Sequence, residues 1–206
     1  PGCTSTKVAV YEDENPVWTS DGLHDPAEID KFSTINEQYE YRKDFVLNLL
    51  KEAGIPLKFD AVIGRGGLLK PLQGGVYAIN ELMKKDLWNA KHQHVCNLGS
   101  LIADEIAHEC HCPAFMADPV VVDEMMTRAR YTGLPFMKRE SIFHALNAKA
   151  ASRRYARSIG KHYEELNLVV AHLGGGICVS AHHNGKVIDV NNALNGEGPI
   201  APERSG

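Results

Sequence analysis

Four apolar residues, Leu168 to Ala171, lead straight into His172-Leu173-Gly174-Gly175-Gly176, and this junction limits the possible folds more than any other stretch. Apolar, β-prone residues after the polar Glu164-Glu165 predict a strand, and a second run from Ile177 to Ala181 resumes directly after the glycines. Three glycines between two strands predict a hairpin whose turn lacks Cβ atoms, so that its backbone N–H groups can close on an anion. Asn184-Gly185 is a dipeptide favoured in tight turns, and Lys186-Val187-Ile188-Asp189-Val190 then supplies a third strand. A small antiparallel meander with a phosphate-sized cradle at one end is expected here.

The start of the chain repeats the pattern. Pro1-Gly2-Cys3-Thr4-Ser5-Thr6-Lys7 precedes a strand at Val8 to Tyr11, a turn at Glu12 to Asn15 and a short run through Val17-Trp18. Thr4, Ser5, Thr6 and Lys7 can donate side-chain and backbone hydrogen bonds to phosphate. A turn rich in Ser and Thr can equally be an ordinary solvated turn, so the presence of two such hairpins in one chain says more than either alone.

Between the hairpins, helical and strand patterns alternate. Residues from about Asn36 to Ala53 show helical spacing at Tyr41, Phe45, Leu49 and Leu50, with a stop at Gly54 and Pro56. Phe59 to Gly64 predicts a buried strand with Arg65-Gly66-Gly67 at its carboxyl end, where ligands of open α/β sheets gather; taken alone, Arg65 could also be a loop charge. A helix from about Leu98 to Cys110 is followed by a short strand over 113–118 that ends in Asp118, a residue also suited to capping the turn before Pro119. Lys138 to Glu165 is expected to be mostly helical, with Ala148, Ala150 and Ala151 allowing close packing and Arg153, Arg154 and Arg157 forming a solvated face. The cluster His108, Cys110, His111 and Cys112 suggests zinc, but no second pair stands at finger-like spacing, and a helix end is the better reading. A domain boundary is expected near Leu166.

With 206 residues and 44% hydrophobic content the chain can bury a substantial core. A formal net charge of −4 gives no general attraction to nucleic acid or anionic membranes, so an anionic substrate would have to be met by locally placed cations. No apolar run of membrane length and no signal-peptide pattern is present. Five cysteines, an odd number without a secretory segment, predict reduced thiols and a cytoplasmic enzyme.

Several separated blocks carry a resemblance. PGCTSTK and HLGGG, together with VIGRGG (Val62 to Gly67), FMADP (Phe115 to Pro119), IFHALNAKA (Ile142 to Ala150) and NNALNGEGPIAPERSG (Asn191 to Gly206), resemble the acetate kinase (acetokinase) family over essentially the whole chain, in spellings closest to members that act on butyrate. That family belongs to the superfamily of sugar kinases, heat-shock chaperone ATPases and actin. The resemblance implies an α/β protein of two ribonuclease-H-like domains with ATP between them. Residues 1–165 would be the first domain, lacking its first strand residues, and residues 166–206 the opening hairpins of the second, nucleotide-binding domain. Members usually carry Ser where this chain has Cys3. They begin earlier and continue well beyond Arg204-Ser205-Gly206, so the chain is expected to be a fragment that is inactive alone.

The activity implied is reversible transfer of the ATP γ-phosphoryl group to the carboxylate of butyrate, giving butyryl phosphate and ADP. A carboxylate is already a nucleophile at neutral pH, so alignment and charge neutralisation would carry the catalysis. By resemblance, Arg65 and Arg204 flank the reacting centre, where guanidinium groups pair with carboxylate or phosphoryl oxygens. Asp118 matches the family's active-site aspartate, which would orient a divalent metal or its water, and His144 matches a histidine that steadies the transition state. His172, Gly174, Gly175 and Gly176 would hold the β- and γ-phosphates, and Thr4, Ser5, Thr6 and Lys7 would form the first phosphate loop. His94 and Asn97 fall near a further family histidine. The cofactors implied are ATP/ADP and Mg²⁺, whose far-end carboxylate ligand lies outside the chain. The whole protein is expected to form a homodimer or higher homo-oligomer, with no nucleic-acid or membrane partner. Kinases of acetate, propionate or branched-chain acids share every motif named, and a non-catalytic ATP-dependent switch would share the phosphate loops without needing paired arginines.

Overall fold

Helices, strands and turns are positioned by a small number of residue choices that the computed structural model makes explicit for residues 1–195 and 197–202. Arg204 lies outside these described residues. In chain order the main elements are β1 (Ser5–Glu12), β2 (Asn15–Leu23), a single helical turn α1 (Pro26–Ile29), α2 (Tyr39–Glu52), β3 (Val62–Arg65), β4 (Val76–Ala78), α3 (Glu81–Trp88), α4 (Cys96–Glu109), β5 (Ala114–Ala117), α5 (Ala145–Ser158), β6 (Asn167–Leu173), β7 (Ile177–His183) and β8 (Lys186–Val190). No helix among the described residues is long and apolar enough to cross a membrane. The chain packs as two units, Pro1–Leu69 with Tyr77–Met116, and Lys70–Val76 with Ala117–Gly206.

In the first unit β1 and β2 form an antiparallel hairpin in register from Ser5↔Leu23 to Glu12↔Asn15, with an irregularity at Val10/Tyr11. Helix α2 buries Val46 and Leu50 against Leu87 of α3 and Leu98, Leu101, Ile102 and Ile106 of α4. The expected stop at Gly54 is a Schellman cap: Gly54 adopts φ +68°, its N–H donates to Lys51 O, and the Ile55 N–H donates to Leu50 O. Strands β3, β5 and β4 form a sheet in that order. A Cβ on Gly64 of β3 would lie 2.8 Å from Ala103 Cβ on α4, so a glycine there lets helix and strand approach closely and fixes where β3 delivers Arg65.

The second unit contains the expected meander, with β7 between β6 and β8 and the register Val170↔Ser180, His172↔Cys178. Asn184 and Gly185 both have positive φ, +49° and +74°, as a primed hairpin turn requires. Helix α5 buries Ala145, Ala148, Lys149, Ser152 and Ala156, and Ala145 and Ala148 join Val122, Met125, Phe143, Cys178, Val187 and Val190 in the core.

Two local expectations are corrected and one element is added. The helix expected from Lys138 starts only at Ala145, because Lys138 bridges antiparallel to Tyr131 and the Phe143 N–H donates to Val120 O; it ends at a second Schellman cap, where Gly160 takes φ +68°. The strand expected from Phe59 begins at Val62. Helix α3 was not anticipated; its start is set by Asn80, whose side chain accepts from the Met83 N–H.

Candidate functional site

The first phosphate-loop candidate is a tight turn closed by a hydrogen bond from the Gly2 N–H to Ser5 O, 2.7 Å, leaving Cys3 and Thr4 exposed. Arg42 of α2 braces it from beneath. This side chain is fully buried, and it donates to Gly2 O at 3.0 Å, Cys3 O at 3.3 Å, Thr6 Oγ1 at 3.4 Å and Gln38 Oε1 at 2.9 Å. All four acceptors are neutral, so the loop lies over a buried positive charge, and burial lowers the guanidinium's pKa from its ordinary value. Positive potential under a turn with exposed residues and a free-standing Thr4 hydroxyl suits an anion.

Within that loop the candidates divide. Thr6 is buried and its hydroxyl is engaged by His24 Nε2 at 2.8 Å as well as by Arg42. Burial, then the charge of Arg42, pushes the His24 pKa down to about 4, which keeps the ring neutral beside the guanidinium. Lys7 points outward and pairs with Asp21 at 3.0 Å. Thr4 therefore presents the loop's exposed hydroxyl, Ser5 is half-buried with its side chain hydrogen-bonded to Asp21, and Thr6 contributes to the loop's frame.

Arg65 closes β3, where its carbonyl accepts from Ser100 Oγ at 3.4 Å. The adjoining Gly66-Gly67-Leu68 segment is fixed by Asn97, a fully buried residue whose Oδ1 accepts from the Leu68 N–H at 2.9 Å and whose Nδ2 donates to His92 O at 3.4 Å. A Cβ on Gly67 would lie 2.6 Å from Asn97 Cα. His94 Nδ1 accepts from the Cys96 N–H at 3.2 Å. Burial pushes the Cys96 thiol up to about 11, against the opposing charge of Arg65, so it stays protonated. His94 and Asn97 thus sit at the amino end of α4, and Asn97 acts there as the clamp on the Arg65 loop.

In the second unit Asp118 follows β5 in a left-handed conformation, φ +37°, uncommon for a residue with a side chain and frequent where a functional group must be held in place. Its backbone N–H donates to Gly75 O at 2.8 Å. Its buried carboxylate accepts from the Gly75 N–H at 2.9 Å and from Arg153 Nη1 at 2.8 Å. Arg153 was expected on a solvated face; its side chain is 44% exposed yet paired to an aspartate that is almost completely buried.

His144 and His172, far apart in sequence, stack with ring centroids 3.8 Å apart and planes 11° from parallel. His144 lies at the N-cap of α5 with Nδ1 3.4 Å from Cys178 Sγ. His172 ends in contact distance of Gly174, where an added Cβ would lie 2.9 Å from Nε2. The described candidates therefore form two groups, each within its own unit: Thr4 to Lys7, Arg65, His94 and Asn97 in the first, and Asp118, His144, His172 and Gly174 to Gly176 in the second.

Arg42, Arg153 and Lys149 are the participants the sequence reading missed. A signal for Arg42 existed, since it stands four residues before Val46 and eight before Leu50 on the buried stripe of α2. Lys149 likewise sits among the buried positions of α5, where it pairs with Glu124 at 2.9 Å, both side chains buried. No group of three or more His, Cys, Asp or Glu side chains able to hold a metal occurs among the described residues, which includes the His108 to Cys112 cluster.

Comparison with known proteins adds independent findings. Residues 135–206 match the acetokinase family. Over its full length the chain is 68% identical to a protein named probable butyrate kinase from Phocaeicola vulgatus, covering 58% of that protein. It is 51% identical over its full length to butyrate kinase 1 of Clostridium acetobutylicum, covering 59% of it. The chain thus spans somewhat over half the length of these curated relatives. Among solved structures, an acetate kinase from Porphyromonas gingivalis aligns with TM-score 0.65 at 17% identity, over 94% of this chain and 56% of that one. An acetate kinase from Entamoeba histolytica aligns with TM-score 0.62 at 16% identity, over 95% and 54%. At such low identity the likeness is one of fold: an α/β protein of the acetate kinase type.

Proposed function

We propose that the chain belongs to the acetokinase family, whose pattern residues 135–206 match, and that the whole protein catalyses reversible phosphoryl transfer from ATP to butyrate, forming butyryl phosphate and ADP. The observation that carries this proposal is likeness, over the full length of this chain and somewhat over half of theirs, to relatives named butyrate kinase. Supporting it are two anion-suited loops, one over the buried charge of Arg42 and one of glycines beside a histidine. In domain terms, residues 1–165 would hold the first ribonuclease-H-like domain and residues 166–206 the start of the second.

A carboxylate oxygen of butyrate attacks the γ-phosphorus while the bond from that phosphorus to the β–γ bridging oxygen breaks, and ADP carries the electron pair away. No proton need move. The obstacle is repulsion between the two anions as they approach. Arg65 and Arg204 are assigned to neutralise it, since each offers a planar pair of donors. The loops at Thr4–Lys7 and Gly174–Gly176 would hold the phosphates, and His144 would donate to oxygens of the group in transit. Asp118 is an oxygen donor held in one orientation by Gly75 and Arg153. One such carboxylate fits Mg²⁺, which is commonly held by one or two carboxylates and the nucleotide's own phosphates. The ion would supply charge neutralisation across those oxygens.

Trapping with hydroxylamine in the whole protein tests the proposal. ATP-dependent acyl hydroxamate should form with butyrate in preference to acetate and isobutyrate, and should vanish in Arg204→Ala. Equal or better product from acetate or propionate would move the substrate within the family. Tight ATP binding with no product from any acid would replace the kinase by a nucleotide-dependent switch.

A further inference from the structure

The glycine loop borders an imidazole, and what that ring offers depends on which nitrogen carries its proton. His172 Nε2 is the heavy atom nearest to where a Cβ on Gly174 would stand, at 2.9 Å. Its other nitrogen, Nδ1, lies 2.7 Å from the amide nitrogen of Asn147. An amide NH₂ only donates, so Nδ1 is the acceptor and the proton of neutral His172 belongs on Nε2. Two titratable neighbours among the described residues fit this state. His144 stacks on it at 3.8 Å, and two imidazolium rings face to face would repel. Cys178, its partner across the strand pair, has its thiol pKa raised by burial, and so adds no charge.

We propose that Asn147 is a positioning residue that fixes His172 in the tautomer presenting Nε2–H to the glycine loop, where it donates to a phosphoryl oxygen of the nucleotide. The inference rests on the reading of residues 174–176 as a phosphate cradle. Its economy is structural: Asn147 stands three residues after His144 in the first turn of α5, and residues so spaced share a helix face. One turn of helix therefore supplies both the ring that packs on His172 and the amide that orders its proton. With Nδ1 occupied by an amide donor, neutral His172 keeps its donor toward the loop, so that nucleotide binding needs no imidazolium.

Asn147→Asp inverts this arrangement. A carboxylate at that position demands a proton on Nδ1, so the neutral ring would show the loop a bare Nε2, and only the imidazolium would still donate there. Asn147→Ala removes the bias altogether. The added negative charge in Asn147→Asp lowers affinity at every pH, and the informative quantity is therefore the shape of the pH profile.

The test uses the whole protein with ¹⁵N-labelled histidine. Multiple-bond ¹⁵N–¹H spectra without nucleotide read the tautomer, and calorimetric titration with ATP from mildly acidic to mildly alkaline pH reads the consequence. Expected are an Nε2–H tautomer in the wild type with a flat affinity profile, and a mixture of tautomers in Asn147→Ala. In Asn147→Asp, affinity should fall about tenfold further from the acidic to the alkaline end, the effect of losing one charge-assisted hydrogen bond. An Nδ1–H tautomer in the wild type, as a rotated Asn147 amide would impose, overturns the proposal, as does an Asn147→Asp profile parallel to the wild type. Because the tautomer is read without nucleotide, failure of the phosphate-cradle reading is distinct: the ring would be ordered as stated while ATP bound equally with or without Asn147.

Discussion

Among the described residues each unit buries one Lys or Arg, and the two are treated in opposite ways. Arg42 and Lys149 are the two largest fully buried side chains of the described structure, at 0% and 2% exposure. Lys149 has a counterion: both oxygens of Glu124 lie within about 3 Å of its Nζ, and the pair also ties together the Gly74 N–H, the Val187 N–H and Gly185 O. Arg42 donates to four neutral oxygens under the first loop. Where the cation serves only the frame of a hairpin, its charge is cancelled; where a phosphate is proposed to bind, the charge is left to be met by the ligand. A buried charge without a partner is costly, and it is tolerated more readily where binding an anion relieves it.

The sharpest way to break this comparison is to remove each cation in turn. Lys149→Met should destabilise the protein by about 3–5 kcal/mol, because it strands Glu124 as a buried, unpaired carboxylate. Hydrogen bonds from the Val187 and Gly74 N–H groups and from Lys149 hold that carboxyl below its ordinary pKa despite burial, so the Lys149 contribution should be present above the usual carboxylate range and fade as pH falls below it. ATP affinity measured at saturating stability should be unaffected. Chemical denaturation at pH 7 and pH 4 checks both signs.

Acidification probes the two units alike. His24 and His182 are both buried and both pushed down to about 4, by burial first and then by Arg42 and Lys149 respectively. A folded pKa below the unfolded value of about 6.5 means that the unfolded chain takes up protons first, so stability is complete above that value and declines between about 6.5 and 4. The loss is on the order of 3 kcal/mol for each ring. His182→Gln should flatten the slope contributed by the second unit and His24→Gln that of the first, as read from denaturation midpoints across pH.

Arg42→Met carries the distinguishing prediction. Unpaired carbonyls cost about 1–3 kcal/mol each, but relief of the buried charge offsets much of this, and a net loss of about 2 kcal/mol is expected, below that of Lys149→Met. Affinity for ATP should fall while the Lys149 variant keeps its own. Equal stability losses with equal affinities would erase the difference between the two cations. Smallest of all, Gly174→Ala should cost about 1 kcal/mol in stability, because the Cβ meets only the outer edge of the His172 side chain, and should lower ATP affinity about tenfold.

Much of this architecture is visible in the sequence for local reasons. The glycine loop, the Asn184-Gly185 turn and the cap at Gly54 are each written in residues whose backbone freedom has few other uses. Arg42 was not legible as a brace, because a charged residue in a helix reads as solvent-facing until the carbonyls of residues 2 and 3, forty positions away, are placed above it. Arg153 is exposed, as a solvated face requires, but its pairing with Asp118, 35 residues distant, was beyond reach for the same reason. The late start of α5 depends on bridge pairing between Tyr131 and Lys138, which no helical periodicity can reveal. The stacking of His144 on His172 is likewise tertiary: each was singled out by its motif, and only the fold sets the rings 3.8 Å apart.

The central claim, that a carboxylate oxygen becomes the acceptor of the γ-phosphoryl group, is tested most directly with ¹⁸O-labelled butyrate and ATP in the whole protein, followed by ³¹P magnetic resonance. The account predicts an acyl phosphate resonance displaced by an ¹⁸O bonded to phosphorus, appearing as the ATP γ-signal declines and absent in Arg65→Ala. Conversion of ATP to ADP and inorganic phosphate with no labelled acyl phosphate, or an unshifted acyl phosphate resonance, would contradict it.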